Sequence, residues 1–522
     1  MKRNIHRAMI GAATLFTLGL AACTDPTETP RSTISAENVF KDPASYQAFL
    51  AKIYAGMSTT GQQGPAGNKD ISTINDEGFS QYIRLYWEHQ ELPTDEAALA
   101  WNDGPVQEFN SQTWGATNAF LGAMFARIYL QVTWVNEFMA ETEDSKLSER
   151  GQSDANFLAQ IRQFRAEARF LRALAYWHGV DIFGPIPVVT VNSPTPPAQN
   201  TRTEVYNFIV SELNGAMTDL PSAGPGLYGR ATKEAAQMLL AHVYLNAEVY
   251  TGSPAYAEAL AAAQAVIAGP YSLDPNYEHL FQADNNTSPE IVFPVVQDGL
   301  YTQSYGGTTF LVHASCGNAM NPATYGHGEC WWGLRLKPEA YNLNSADPRH
   351  TYFFTTGQTV QIASLTNFGD GIAAPKFTNV ASGGGNGSHN YFPDTDFPMF
   401  RLADAYLIYA EAHLRGSVGD ATLALNYVNA IRQRAYGDNS GDITAGQLTL
   451  PFILDERGRE LLWEGHRRTD LIRYGLFTGG TYLWSWKGNT QLGTSTPDYL
   501  NLYPIPATQL SANPNLTQNP GY

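Results

Sequence analysis

Near the C-terminus lies a pair of alanine-rich amphipathic segments, and it constrains this chain more than any other feature. "RLADAYLIYAEAHLRG" begins at Arg401, "DATLALNYVNAIRQRAYG" ends at Gly437, and the five-residue turn "GSVGD" joins them. So short a connection makes the two helices a hairpin. Their alanines let the helix axes approach closely. The unit is ~35 residues long, close to one tetratricopeptide repeat, although that repeat's sequence pattern is imperfectly kept. One such hairpin cannot bury its apolar face alone, so stacked hairpins are expected.

Earlier segments repeat the pattern. Residues 157–182, "FLAQIRQFRAEARFLRALAYWHGVDI", predict a long helix: Phe164, Ala168, Leu171 and Ala175 recur at helical spacing, with Arg162, Arg165, Arg169 and Arg172 interleaved. Gly184 and two prolines stop it. "TRTEVYNFIVSELNGAMTDL" is a second helix, ended by Pro221, and "ATKEAAQMLLAHVYLNAEVY" starts at a Thr232 cap. "SPAYAEALAAAQAVIAGP" offers Ser253 as N-cap, Pro254 at the first helical position and Gly269-Pro270 as the stop. A last helix is expected over "ILDERGRELLWEGHRRTDLIRYG". Its Arg457, Glu460, Glu464 and Arg468 stand at i,i+3 or i,i+4 spacing, and these, like Arg165, Glu167 and Arg172, read as structural ion pairs, not ligand contacts.

Between the helical blocks the composition changes. Residues 270–399 are rich in Gly, Asn, Tyr and Ser, with short strand-like pieces such as "EIVFPVV", and residues 60–118 are similarly irregular. "SGGGNGSHN", residues 382–390, lacks the Gly-Lys-Ser/Thr and the following helix that a phosphate cradle needs, so it reads as a flexible loop. The fold class is therefore mostly α: a tetratricopeptide-like superhelix of helical hairpins with an irregular, loop-rich ligand-binding lobe. The scaffold is expected mainly in residues 36–59, 119–269 and 400–475, and the lobe mainly in 60–118 and 270–399, all within one domain, residues 36–522. Loops positioned by a stiff scaffold are where binding usually sits.

The N-terminus carries an address. Lys2, Arg3 and Arg7 precede an apolar run of about fifteen residues, too short for a membrane-spanning helix, which needs ~20. The run ends in Leu20-Ala21-Ala22-Cys23, a bacterial lipobox. Residues 1–22 then form a lipoprotein signal peptide, Cys23 becomes the lipid-bearing first residue, and the Pro- and Thr-rich residues 23–35 form a tether. The net charge of −17 opposes nucleic-acid binding and general adhesion to anionic membranes. The remaining cysteines, Cys316 and Cys330, flank a Gly- and aromatic-rich loop, and in an exported protein they are candidates for a bridge.

A search for catalytic constellations finds none: no His-Glu-x-x-His, no Gly-x-Ser-x-Gly, and His313, His327 and His350 not at metal-ligand spacing. No cofactor, no metal and no enzyme activity are expected. What stands out is a set of aromatics beside polar groups. "LAWNDGP" gives Trp101, Asn102 and Asp103, "GHGECWWGLR" gives Trp331, Trp332 and Arg335, and Tyr305 and Tyr325 lie in Gly-rich turns. An indole face suits the C–H face of a sugar ring, while Asn and Arg suit its hydroxyls. Adjacent tryptophans face one ligand only if the backbone between them is not extended.

Seven motifs occur in order: "LPTDEAALAWNDG", "AEARFLRALAYWHGVDIFGPIPVV", "ATKEAAQMLLAHVYL", "GLRLKPEAYNLNSADPRH", "FPMFRLADAYLIYAEAHLR", "ERGRELLWEGHRRTDLIRYG" and "LYPIPATQLSANPNLTQNPGY". With them the chain resembles the SusD/RagB family of outer-membrane nutrient-binding lipoproteins from about residue 36 to the end. The resemblance implies a protein held outside the cell by its lipid, lying as a lid on a SusC-like TonB-dependent transporter. It implies capture of a glycan, or in some members a peptide, without chemistry. It also implies ligand contacts at Trp101, Asn102, Trp331 and Trp332, supported by Tyr305, Tyr325 and Arg335. Remoter alternatives are a surface glycoside hydrolase, which needs two facing carboxylates, and an interaction protein with no ligand of its own.

Overall fold

The computed structural model describes residues 39–61, 64–65, 69–74 and 78–522. The signal peptide, the tether and Cys23 lie outside the described residues. The chain divides into two units, residues 1–45 and 46–522, and the architecture that follows is that of the second.

The helices that matter for the site are α1 (Ala44–Ala55), α2 (Tyr82–Glu91), α3 (Ala119–Glu141), α4 (Ala155–Ile182), α5 (Arg202–Ala216), α6 (Lys233–Leu245), α7 (Tyr256–Ile267), α8 (Gly307–Ala314), α9 (Leu402–Gly416), α10 (Ala421–Tyr436), α11 (Leu450–Glu460) and α12 (Arg467–Arg473). They stack as hairpins: α3 on α4, α4 on α5, α6 on α7, and α9 on α10. The stack does not stop where the lobe is inserted, because α7 packs on α9 across the whole of it. Among the described residues no helix is long and apolar enough to cross a membrane.

Local chemistry sets the helix ends. Asp420 caps α10, accepting from Thr422 N at 2.7 Å and Leu423 N at 3.1 Å. Thr232 caps α6 by accepting from Ala235 N at 3.2 Å. The Ser253 expectation fails. Helix α7 begins at Tyr256 behind Ala255, whose side chain makes no cap bond, because residues 252–255 are used to turn the chain after Gly252 enters the left-handed region at φ 78°.

The long C-terminal helix is also corrected. It breaks into α11 and α12, with Trp463 at φ 62° and Gly465 at φ 83° between them. Tertiary packing forces the break: Trp463 is fully buried, edge-on to Trp87 with ring centroids 5.7 Å apart, and its carbonyl accepts from Trp87 Nε1 at 2.9 Å. Arg457, Glu460, Glu464 and Arg468 do not pair with one another as their spacing suggested. Arg457 meets Asp404 and Asp470, and Arg468 meets Asp181. Glu460 holds Arg349, Arg401 and Arg434, and Glu464 holds Lys376 and Arg401. Arg165, Glu167 and Arg172 likewise pair with Asp144, Arg230 and Glu212.

Four short strands organise the lobe: β1 (Ala97–Leu99), β2 (Ile291–Val295), β3 (Leu334–Leu336) and β4 (Phe397–Arg401). "EIVFPVV" supplies β2, which pairs antiparallel with β4, Ile291 opposite Arg401. Strand β1 pairs antiparallel with β3, Ala97 opposite Leu336 and Leu99 opposite Leu334. That second pairing ties residues near 100 to residues near 332. The stretch 60–118 is less irregular than its sequence suggests, because it contains α2, every residue of which is buried. Polar residues such as Arg84, Glu88 and Gln90 hide its apolar period in the sequence; inside the fold Arg84 pairs with Glu88 and Gln90 donates to Asp181.

Candidate functional site

The β1–β3 ladder delivers the aromatic residues to one place. Trp101 follows β1, and Trp331 and Trp332 precede β3. Trp101 Nε1 donates to the Trp331 carbonyl at 2.7 Å, and the ladder continues with Ala100 N donating to Gly333 O at 2.8 Å. Segment 331–333 is also laced to the end of α8: Trp331 N donates to His313 O, Trp332 N to Cys316 O and Gly333 N to Ala314 O, at 2.8–2.9 Å. Gly333 is required here, since a Cβ would lie 2.9 Å from the Trp101 ring.

The alternation rule for adjacent residues is broken at Trp332, which stands at φ 50°. Both Trp331 and Trp332 therefore border the same open cleft, of about 470 Å³, together with Trp101 and Tyr305. Trp332 is 50% exposed. The Trp101 and Trp331 rings stand 6.1 Å apart at 53°, so their faces are angled to one another. Tyr305 packs edge-on to Tyr391 at 5.9 Å. Phe79, Arg84, Asp103 and Cys330 complete the wall.

The polar groups are held firmly. Arg84 is nearly buried, its guanidinium 4.4 Å from the ring centres of Phe79 and Phe310 and 5.4 Å from that of Trp101. Its Nε donates to Glu88 Oε1 at 2.9 Å. Burial pushes the Glu88 carboxyl up despite that partner. Trp331 stacks on His313 at 4.6 Å and 23°, and its Nε1 donates to Glu329 Oε1 at 3.0 Å. Hydrogen bonds from Trp331 and Tyr391 hold the Glu329 carboxyl below its ordinary value. Burial pushes His313 down, and pushes His327 down to about 4. Both imidazoles are therefore neutral supports at pH 7.

Cys316 and Cys330 are bonded to each other. Behind the bridge lies a small apolar cluster of Ala100, Met320, Phe368 and Ala373, against which Tyr325 packs. Tyr325 is thus part of the backing and not of the cleft wall. Arg335 is corrected more sharply. It is fully buried, and its guanidinium donates to the carbonyls of Asp370, Gly333 and Leu365 at 2.7–3.2 Å. Burial lowers its pKa to about 9, and the charge of Asp370 offsets this only in part. It fixes the loop that carries the tryptophans and cannot reach a ligand. Asn102 is exposed at the rim between Trp101 and Asp103, but the wall is formed by its two neighbours. Arg84 was missed. Its sequence signal is an arginine inside the aromatic segment "YIRLYW", four residues before Glu88.

Angled aromatic faces with one guanidinium and one carboxylate suit an uncharged polyhydroxylated ring system. Among the described residues of the wall, Asp103 is the one carboxylate, so the facing pair that glycoside hydrolysis requires is not built there. A second open cleft of the same volume, bordered by Asn136, Asp144, Arg165 and Asn192, has no aromatic side chain in its wall.

Comparison with known proteins settles the lineage. A SusD family profile matches residues 344–522, and a second, described as starch-binding associating with outer membrane, matches residues 31–245. The starch-binding protein SusD of Bacteroides thetaiotaomicron is 35% identical over 91% of this chain and 92% of its own length. The chain belongs to the SusD family. A SusD-like protein P2 of Formosa agariphila is 26% identical over 97% of the chain and 98% of its own length. A SusD superfamily protein of Bacteroides thetaiotaomicron shares the fold with a TM-score of 0.71, at 22% identity, over 92% of this chain and 99% of the other. Surface glycan-binding protein A of the same organism, solved with laminarihexaose, shares it with a TM-score of 0.69, at 20% identity, over 91% and 99%. The mostly helical fold and the hairpin superhelix expected from the sequence are those of this family.

Proposed function

We propose that this SusD-family protein captures a glycan of the α-glucan, starch-like class in the cleft formed by Trp101, Trp331, Trp332 and Tyr305. In this reading it delivers the glycan to a SusC-like TonB-dependent transporter without chemistry of its own. Cys23 anchors it by lipid in the outer membrane, facing the exterior. The observation that carries the reading is one cleft bordered by three tryptophans, of which Trp101 and Trp331 are angled to each other, with Arg84 and Asp103 beside them. A pyranose stacks its C–H face on an indole and turns its hydroxyls to charged groups at the edge. Faces angled to each other fit a curved chain better than a flat one, and a relative named for starch binding supports that class.

Peptide capture is the second reading within the same type of transporter complex. It calls for a trough with free backbone edges, whereas this cleft is walled by rings. The deciding experiment is affinity electrophoresis of the full chain in detergent against amylopectin, laminarin and other plant and microbial polysaccharides, with peptide pools tested by calorimetry. Retardation by amylopectin that Trp332→Ala abolishes is the expected result. A silent glycan panel with heat from peptides overturns the assignment.

A further inference from the structure

Away from the cleft, three side chains from distant parts of the sequence converge inside the helical stack. His242 comes from α6, Asp404 from the first turn of α9, and His466 from the turn that leads into α12. All three are more than nine-tenths buried, at 3%, 1% and 7% exposure. One ligand atom from each lies within 4.8 Å of the other two. His242 Nε2 stands 2.7 Å from Asp404 Oδ2, and His466 Nε2 stands 4.0 Å from the same oxygen.

The contact between His242 and Asp404 has the length of a hydrogen bond but not its alignment. Neither His242 Nε2 nor Asp404 Oδ2 completes a directed bond to any partner. Buried polar atoms are rarely left so. Two ligand atoms this close without a directed bond are both left free to bind a common third partner. The surroundings fix that arrangement. Arg457 Nη1 donates to the other oxygen of Asp404, Oδ1, at 2.7 Å, and Asp470 Oδ2 accepts from Arg457 Nε at 2.7 Å. Oδ2 is left for the interior, and the pair acts as the outer support that ligating carboxylates ordinarily have. The His242 ring is held against Trp177 at 5.1 Å and Phe400 at 5.4 Å.

We propose that His242, Asp404 and His466 form a structural site for a divalent transition-metal ion, with zinc the best fit. Two imidazoles and a carboxylate suit zinc and its neighbours, whereas calcium and magnesium take oxygen ligands. Zinc–nitrogen bonds of about 2.0–2.1 Å place tetrahedral ligand atoms roughly 3.3 Å apart. Reaching that geometry takes side-chain shifts on the order of 1 Å or less for the His–Asp pairs. His466 is the most exposed of the three. The ion would cross-link α6, α9 and the turn between α11 and α12, elements otherwise joined by packing and ion pairs. In the sequence these three residues share no local spacing that would mark a metal site.

The test uses the full chain, free of any histidine tag, purified in detergent, stripped with chelator and dialysed against zinc chloride. The expected result is one tightly held zinc per chain and a higher melting temperature with zinc than without. His466→Gln and Asp404→Asn should each abolish zinc retention and the thermal shift. His466→Gln, at the edge of the site, should keep a cooperative melt even if Asp404→Asn does not. Cobalt substituted for zinc should show a visible absorption band that the His466→Gln variant lacks. No zinc retained by the wild type overturns the proposal and leaves a His–Asp pair bridged by a proton. Zinc retained equally by His466→Gln and His242→Gln overturns it too, since the ion then binds elsewhere.

Discussion

Trp332→Ala separates binding from folding most cleanly. The residue stands at φ 50°, a strain that tryptophan and alanine share, so the substitution changes no backbone preference. Half of the side chain is already exposed. An aromatic side chain can bury on the order of 200 Å². A sugar ring stacked on the exposed half covers ~100 Å². At ~25 cal/mol per Å² that contributes ~2.5 kcal/mol. Ordering the ligand removes part of it, leaving ~1.5–2 kcal/mol, or a roughly 10–30-fold change in Kd. The assay is calorimetric titration with a linear malto-oligosaccharide, beside a thermal melt of both proteins. The expected result is that weakening with the melt shifted by only a few degrees. An unchanged Kd with an intact melt would refute the stacking argument, because no other role is left for an indole so exposed.

Four further outcomes follow from the same geometry. At Gly317 a Cβ would lie 2.6 Å from Trp332 Cδ1 and 2.5 Å from Phe368, so Gly317→Ala should push the indole aside and weaken glycan binding several-fold, read by the same titration, with every aromatic retained. Removing the Cys316–Cys330 bridge, which spans 14 residues just ahead of the two tryptophans, should cost ~3 kcal/mol of stability in urea melts and lower affinity as well. Arg84→Ala should destabilise by roughly 3 kcal/mol, since it strands the buried Glu88 carboxyl, and adding Glu88→Gln should restore part of that stability but not the affinity. Burial raises the Glu460 carboxyl, but Arg434, Arg401 and Arg349 outweigh it and hold its pKa well below normal. Its contribution is thus present above the unfolded value of about 4.3 and is lost as pH falls toward the folded one. Urea midpoints of the wild type should fall below about pH 4, and Glu460→Gln should lower them at pH 7 and flatten that acid limb.

The sequence by itself determined the helical scaffold. The hairpin from Arg401 to Gly437 is fixed locally, by alanine spacing, by the Asp420 cap and by left-handed residues at Ser417 and Gly437. It likewise exposed the residue types of the site, since tryptophans in Gly-rich loops are conspicuous wherever they fold. Only the tertiary structure decided which of them meet. The β1–β3 ladder joins Trp101 to Trp331 across more than two hundred residues, and no local pattern encodes that pairing. It also decided against Arg335, whose backbone partners lie in a loop that no spacing rule connects to it. It chose Arg84 instead, because a charged residue in a buried helix declares its role only when its neighbours are in place. The break at Trp463 has the same cause: a helical sequence yields when packing one indole against Trp87 gains more than the hydrogen bonds of another helical turn. Short-range periodicity is written along the chain, whereas burial and convergence belong to contacts between residues far apart in it.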